Sequence, residues 1–409
     1  MTLLPSEQTA ADRTVDLGDP GLYSSAERFA RWHRYAARDE PVWSGPGSSP
    51  RGFWSVFSHE SCRRVLSPTA PFTSEYGMMI GFDAQHRDNS GGRMLVVTDG
   101  DHHTYLRQVI APFLSKAMAG TLREFIEAEV DDVLGEVVGS GEVDLAVRLG
   151  PRLPAAVTCE VLGVPARDRE RLVELTNHAF GGADGAFAKM TPSQAHSEIL
   201  MYFHELVARR RREPGDDLVS ALLADGRLTP RDVLVNCDNV LIGGNETTRH
   251  SLTGCLHALG LVPGALDRLR AEPALVDTAT EEVIRWTSPA MHVLRVATAD
   301  VEVGGRLLPR DSPVVAWLPA ANRDPRVFDR PEEFLLDRQP NRHLGFGNGP
   351  HHCLGAALAR AEISALLRIL IRRVRSVRLT AGPEWMRSNL TQGYLHLRAE
   401  LEPMPRDGD

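Results

Sequence analysis

The chain has 409 residues, 42% of them apolar and 24% charged, with a formal net charge of -8. That acidic balance argues against a nucleic-acid partner, which favours a basic surface, and no apolar run is long enough to span a bilayer. Five widely spaced cysteines without a C-x-x-C pair fit a reducing compartment better than a disulfide framework, and they exclude the usual zinc and iron–sulfur patterns.

The first residues lack a basic region followed by an apolar one, so no secretory signal is read and a cytoplasmic location is expected. Residues 1–20 read as a poorly ordered extension. From 21 to 405 no repeat or low-complexity linker divides the chain, and one mainly helical domain with a smaller β region is expected. "GFWSVFSHE" alternates as a strand does. Met78 to Gly92 is polar, glycine-bearing and aperiodic, hence a loop, and "NHAFGGADGAFAKMTPS" reads as a second loop between helices. Between them, "HHTYLR" puts His103 and Arg107 at i and i+4 on one helical face.

Thr229, Pro230 and Asp232 supply an N-cap, a first-turn proline and an acid, and the helix they open runs to Leu261 before Pro263-Gly264 stops it. In its middle sits "IGGNETTRH", two glycines and two threonines that weaken a helix, glycine by roughly 1 kcal/mol against alanine. Gly243 and Gly244 either open a groove or let a neighbouring helix pack closely. "EEVIRW" follows, with Glu282 and Arg285 three apart on one face. "EVGGRLLPRDSPVVAWLPAANRDP" reads as a hairpin, an extended segment and a turn.

The last informative stretch is "HLGFGNGPHHCLGAALAR". Apolar residues recur at helical spacing after Cys353, which therefore sits at or just before a helix N-terminus, where free N–H groups favour a thiolate. Gly345, Gly347 and Gly349 let the backbone turn and come close to a partner. A thiolate on a bare loop is a good metal ligand; the alternative is a structural cysteine beside a glycine-rich turn.

"FGNGPHHCLG", Phe346 to Gly355, resembles the haem-binding signature F-G-x-G-x-H-x-C-x-G of the cytochromes P-450. The resemblance runs from about residue 20 almost to the C-terminus and implies that family's triangular helical fold. It implies haem b with Cys353 as the axial iron ligand, Phe346 beside the sulfur, and backbone N–H groups near Gly355 hydrogen-bonded to it. His103, Arg107, Arg295 and His351 match the family's propionate contacts, and N–H donors are what two carboxylates in a protein interior require. Glu282 and Arg285, joined by Arg338, match a structural triad. Gly243 and Gly244 would make room over the iron, and Glu246 with Thr247 correspond to an acid–alcohol pair that orders a proton relay, a role that Thr248 can share. The threonine hydroxyl can also kink the helix.

The resemblance implies a substrate pocket lined by Met78, Met79, Ile80, Met94 and Leu95, by Phe180, and by Asn239 on the long helix. Met291, His292, Val293 and Leu294 would continue the wall, with Leu390 and Thr391 beyond. His292 is either a polar anchor or a satisfied core histidine. The activity implied is dioxygen-dependent oxidation of an organic substrate, by hydroxylation or epoxidation, in specialised metabolism and on a free or carrier-protein-tethered substrate. The alternatives are oxidative coupling or ring formation by the same haem, and a haem-thiolate sensor without turnover. The chain has no nucleotide-binding or ferredoxin motif of its own, so electrons are expected from a separate ferredoxin and its reductase.

Overall fold

The computed structural model describes residues 15–81, 86–180 and 189–405. Its axis is a 32-residue helix, Pro230–Leu261, buried along most of its length. The start follows from local chemistry. The Thr229 hydroxyl accepts the Asp232 N–H at 3.3 Å while the Asp232 carboxylate accepts the Thr229 N–H at 2.8 Å, closing a capping box with Pro230 in the first turn. Around this helix pack Arg152–Leu162, Arg169–Phe180, Pro192–Arg210, Leu275–Thr287 and Ala356–Arg373. Their apolar faces form the largest core cluster, with Leu252, Leu256, Val283 and Leu366 among its fully enclosed members.

A five-stranded sheet lies to one side, in the order Val42–Ser44, Phe53–Val56, Pro313–Trp317, His292–Ala297, Phe72–Thr73. Phe53–Val56 runs parallel to Pro313–Trp317 and the other pairs are antiparallel. Its faces carry two further clusters, one around Val56, Val314 and Ala316, the other an aromatic group with Trp32, Tyr23 and Trp317. The expected hairpin is Val301–Val303 with Arg306–Leu308, turned by Gly304 and Gly305 at φ 55° and 76°. A Cβ on Gly304 would stand 2.0 Å from the Asp39 carbonyl oxygen, so the turn requires glycine.

The expected extension ends earlier than residue 20. Leu17 is buried, its carbonyl accepts the Tyr23 hydroxyl at 2.7 Å, and Asp16 accepts the Ser48 N–H at 2.7 Å; residues 1–14 lie outside those described. The strand read in "GFWSVFSHE" closes at Val56, because Ser58 caps a helix, His59–Val65. Of the second expected loop, Asn177 to Phe180 is the end of a helix, and 181–188 lie outside the described residues.

Candidate functional site

Between the long helix and the loop before Ala356–Arg373 lies a cavity with Cys353 on one wall and Gly243, Thr247 and Thr248 on another. The loop is built by its glycines. Gly347 and Gly349 have φ 69° and 71°, and a Cβ on Gly349 would meet the Leu66 carbonyl oxygen at 2.2 Å. Its turn closes when the Cys353 N–H donates to the Phe346 carbonyl at 2.8 Å. Among the described residues the other four cysteines are buried, whereas Cys353 is exposed and lines the cavity.

The helix begins at Ala356, three residues beyond Cys353. Although its side chain opens onto the cavity, the protein packed around the sulfur pushes the thiol up; the Gly355 and Ala356 N–H groups and the Arg107 and Arg360 cations oppose that without reversing it. The N–H groups at the helix start act in the expected direction but do not by themselves produce the thiolate. Desolvation wins, and coordination to a cation is what would complete deprotonation.

A cluster of two arginines and two histidines stands at the cavity's edge. His103 and Arg107 come from the helix Gly100–Ile110, Arg295 from the strand His292–Ala297, and His351 from the cysteine loop. The His103 and His351 rings are 4.3 Å apart. His103 Nε2 is buried with no hydrogen-bond partner, and burial, with His351 and Arg107 adding to it, lowers its pKa to about 4. Burial also lowers Arg295 to about 10, and the one bond found for its guanidinium goes to the neighbouring Leu294 carbonyl, 2.8 Å. Asp99 supplies a negative charge here. Burial raises its carboxyl, but hydrogen bonds from His351, Thr73 and the Ser74 N–H outweigh that and hold it well below the usual range. His351 Nε2 is thus engaged, 2.9 Å from Asp99 Oδ1 and 3.1 Å from Ser74 Oγ.

Glu282, Arg285 and Arg338 lie outside the cavity lining, buried in a closed network. Arg285 binds Glu282 through two bonds of 2.7 and 2.8 Å, and Arg338 Nε binds the same carboxylate at 2.9 and 3.1 Å. Arg285 also donates to the Asn322, Pro331 and Glu333 carbonyls.

The two central glycines do different work. A Cβ on Gly243 would meet nothing within 4 Å, so this position opens the cavity, whereas one on Gly244 would stand 2.5 Å from Thr158 Oγ1 of the neighbouring helix. Both readings of the pair hold, one for each residue. Thr247 donates its hydroxyl to the Gly243 carbonyl at 3.1 Å, within a helix that continues without interruption to Leu261. Glu246 is not beside Thr247 in the cavity. It is buried on another face, 3.1 Å from Arg249 Nη1 and 3.4 Å from His250 Nε2. Burial raises its carboxyl, and these two neighbours outweigh the burial and hold it below the usual range.

Of the expected pocket residues, Leu95, Asn239 and Val293 line the cavity, together with Val96, Val240 and Ala290 from the same three segments. Met291 and Leu294 are in the aromatic core instead. Side chains alternate along a strand, so Val293 shares the cavity side with Arg295 and its neighbours point away. His292 is a core histidine. Its Nε2 accepts the Ile80 N–H at 3.0 Å, and Nδ1 donates to the Asn389 carbonyl at 2.9 Å. Met78, Ile80 and Leu390 brace that strand, through the Met78 carbonyl on the Leu294 N–H and the Leu390 carbonyl on the Met291 N–H, each 2.9 Å. Thr391 bridges to Ala290. Met79 and Met94 are not in the lining, and the Phe180 side chain lies outside the described residues.

A bare-loop sulfur facing a glycine-opened helix, with unpartnered N–H donors and guanidinium groups at the edge, fits an iron porphyrin with two carboxylates. Comparison with known proteins gives the same class. The family model described as Cytochrome P450 matches residues 185–389. Cytochrome P450 NovI of Streptomyces niveus is 35% identical over 97% of this chain and 98% of its own. The crystal structure of P450 OxyD, involved in the biosynthesis of vancomycin-type antibiotics, is 61% identical with a TM-score of 0.92, covering 96% of this chain and 100% of that one. P450BioI, solved in complex with hexadec-9Z-enoic acid ligated acyl carrier protein, is 25% identical with a TM-score of 0.82, covering 92% of this chain and 98% of that one. The chain belongs to the cytochrome P450 family, haem-iron monooxygenases. Among the described residues no helix is long and apolar enough to cross a membrane.

Proposed function

We propose that the protein is a monooxygenase with haem b ligated by the Cys353 thiolate, hydroxylating or epoxidising a specialised-metabolite substrate. The observation that carries this reading is the pairing of an exposed Cys353 on one cavity wall with the unpartnered His103 Nε2 and the Arg295 guanidinium at its edge. When bound, the haem supplies the oxidising chemistry, in which substrate, dioxygen, two electrons and two protons give oxidised product and one water. The chain's residues hold and protect that chemistry. The Gly355 and Ala356 N–H groups stabilise charge on the sulfur, and His103, Arg107 and Arg295 receive the propionates. Asp99 keeps His351 oriented beside them.

With its proton directed at the Gly243 carbonyl, the Thr247 oxygen is left as an acceptor on the cavity wall, placed to order a water. Glu246 is the adjacent ionised acid, and serving as proton donor requires it to leave Arg249. Thr247→Ala should therefore lower product formation about tenfold and divert electrons to peroxide; an unchanged ratio of product to peroxide would remove Thr247 from the relay.

The likeness to OxyD supports a substrate from specialised metabolism, and P450BioI with its carrier protein supports a tethered one. Electrons come from a separate ferredoxin and reductase in the cytoplasm. Oxidative coupling by the same haem is the second reading; labelled dioxygen separates the two, because coupling leaves no label in the product. The first test is the absorption spectrum of the dithionite-reduced protein under carbon monoxide. A strongly red-shifted Soret band, lost in Cys353→Ala, is expected. An unshifted band from folded, haem-loaded protein would overturn the thiolate assignment.

A further inference from the structure

On the outer side of the cysteine loop, Phe346 is followed by an ordered run of charge. The Arg360 guanidinium lies over the Phe346 ring, its Cζ 4.6 Å from the centroid. Its edge is engaged elsewhere: Nε donates to Glu281 Oε1 at 2.6 Å and Nη2 to Oε2 at 2.9 Å. His343 Nε2 stands 3.1 Å from the same carboxylate, with its ring 5.8 Å from Phe346. Phe346 in turn accepts the Cys353 N–H. The guanidinium thus gives its face to Phe346 and its edge to Glu281. Arg360 is among the cations that favour charge on Cys353.

We propose that Arg360 and Glu281 are positioning residues that set the reduction potential of the haem iron that Cys353 would ligate, the cation raising it and the carboxylate holding that rise in check. The inference rests on the thiolate-haem reading above. Reduction of iron(III) to iron(II) by one electron, supplied by dithionite in a titration, adds one negative charge and breaks no bond. A cation that favours charge on the sulfur also favours the reduced state. An ion pair that merely ties the helices Leu275–Thr287 and Ala356–Arg373 together predicts something else. At 38% and 31% side-chain exposure such a pair contributes at most about 1 kcal/mol, and losing either partner loosens the same contact.

The test is a potentiometric titration of the full-length, haem-loaded protein at low salt, following the iron spectrum. Arg360→Gln should lower the reduction equilibrium constant and Glu281→Gln should raise it, each by roughly three- to tenfold, where tenfold is ~59 mV for one electron. Arg360→Lys, which keeps the charge, should stay near the parent. Shifts in the same direction, or lowered melting temperatures with unmoved potentials, would overturn the proposal. Should Arg360→Gln fail to retain haem, Glu281→Gln decides alone: an upward shift supports the pair, and none, or a downward one, sinks it. A parent protein without the red-shifted carbon monoxide band would overturn the thiolate reading and this inference with it, whereas the band with unmoved potentials overturns only the inference.

Discussion

Two clusters of buried nitrogen donors stand in the same chain and behave differently. Around Glu282, the Arg285 and Arg338 guanidinium groups find acceptors at every nitrogen, and the carboxylate also takes the Leu335 N–H and the Asn341 amide. Around the cavity, His103 Nε2 has no partner and Arg295 reaches one backbone carbonyl. A pair of guanidinium groups whose nitrogens all find acceptors needs nothing more, and its role is to fix the fold. A burial that leaves N–H groups unanswered costs stability unless an anion arrives. Between these two clusters, satisfaction of the nitrogens rather than charge or depth is the difference.

The difference is open to measurement. Glu282→Gln should cost about 3–5 kcal/mol, because it leaves two buried guanidinium groups without their carboxylate; denaturant unfolding of the haem-free protein reads this directly, and a cost below 1 kcal/mol would make the network dispensable. Acid should act next. Burial holds His292 neutral, with a pKa of about 4 against 6.5 unfolded. Its folded value is depressed, so the stability is present above pH 6.5 and drains away as pH falls toward 4, by roughly 3 kcal/mol. His292→Gln should flatten that pH dependence of unfolding. The smallest effect belongs to the cavity. His103→Ala should leave the haem-free protein as stable as the parent, or more so, while haem dissociates about tenfold faster, by analogy with other residues supporting a bound metal. If the haem-free protein lost stability as Glu282→Gln does, the two clusters would be of one kind.

Local signals were legible in the sequence where the chemistry is local. Thr229, Pro230 and Asp232 mark the helix start, and the observed helix ends at Leu261, before Pro263-Gly264. The cysteine loop was legible for the same reason, since three glycines within five residues constrain one short backbone path. The pocket wall was less so. Which of Met291 to Leu294 faces inward depends on how the strand registers against Pro313–Trp317, a pairing with residues about twenty positions away, and only Val293 reaches the cavity. Met78 and Ile80 looked like an apolar lining, but their backbones are tied to that strand. Glu246 follows the same logic. Its neighbour Thr247 faces the cavity, yet one residue along a helix is a turn of about 100°, and Arg249 and His250 were placed to claim it.

Gly243 and Gly244 offer separate handles to anyone redesigning this enzyme. A methyl group added at the first would shave volume from the reaction chamber, stiffen the helix and leave the packing around it untouched. The same change at the second would push against Thr158 and wedge two helices apart. Selectivity can thus be tuned at one position, while its neighbour is closed to revision.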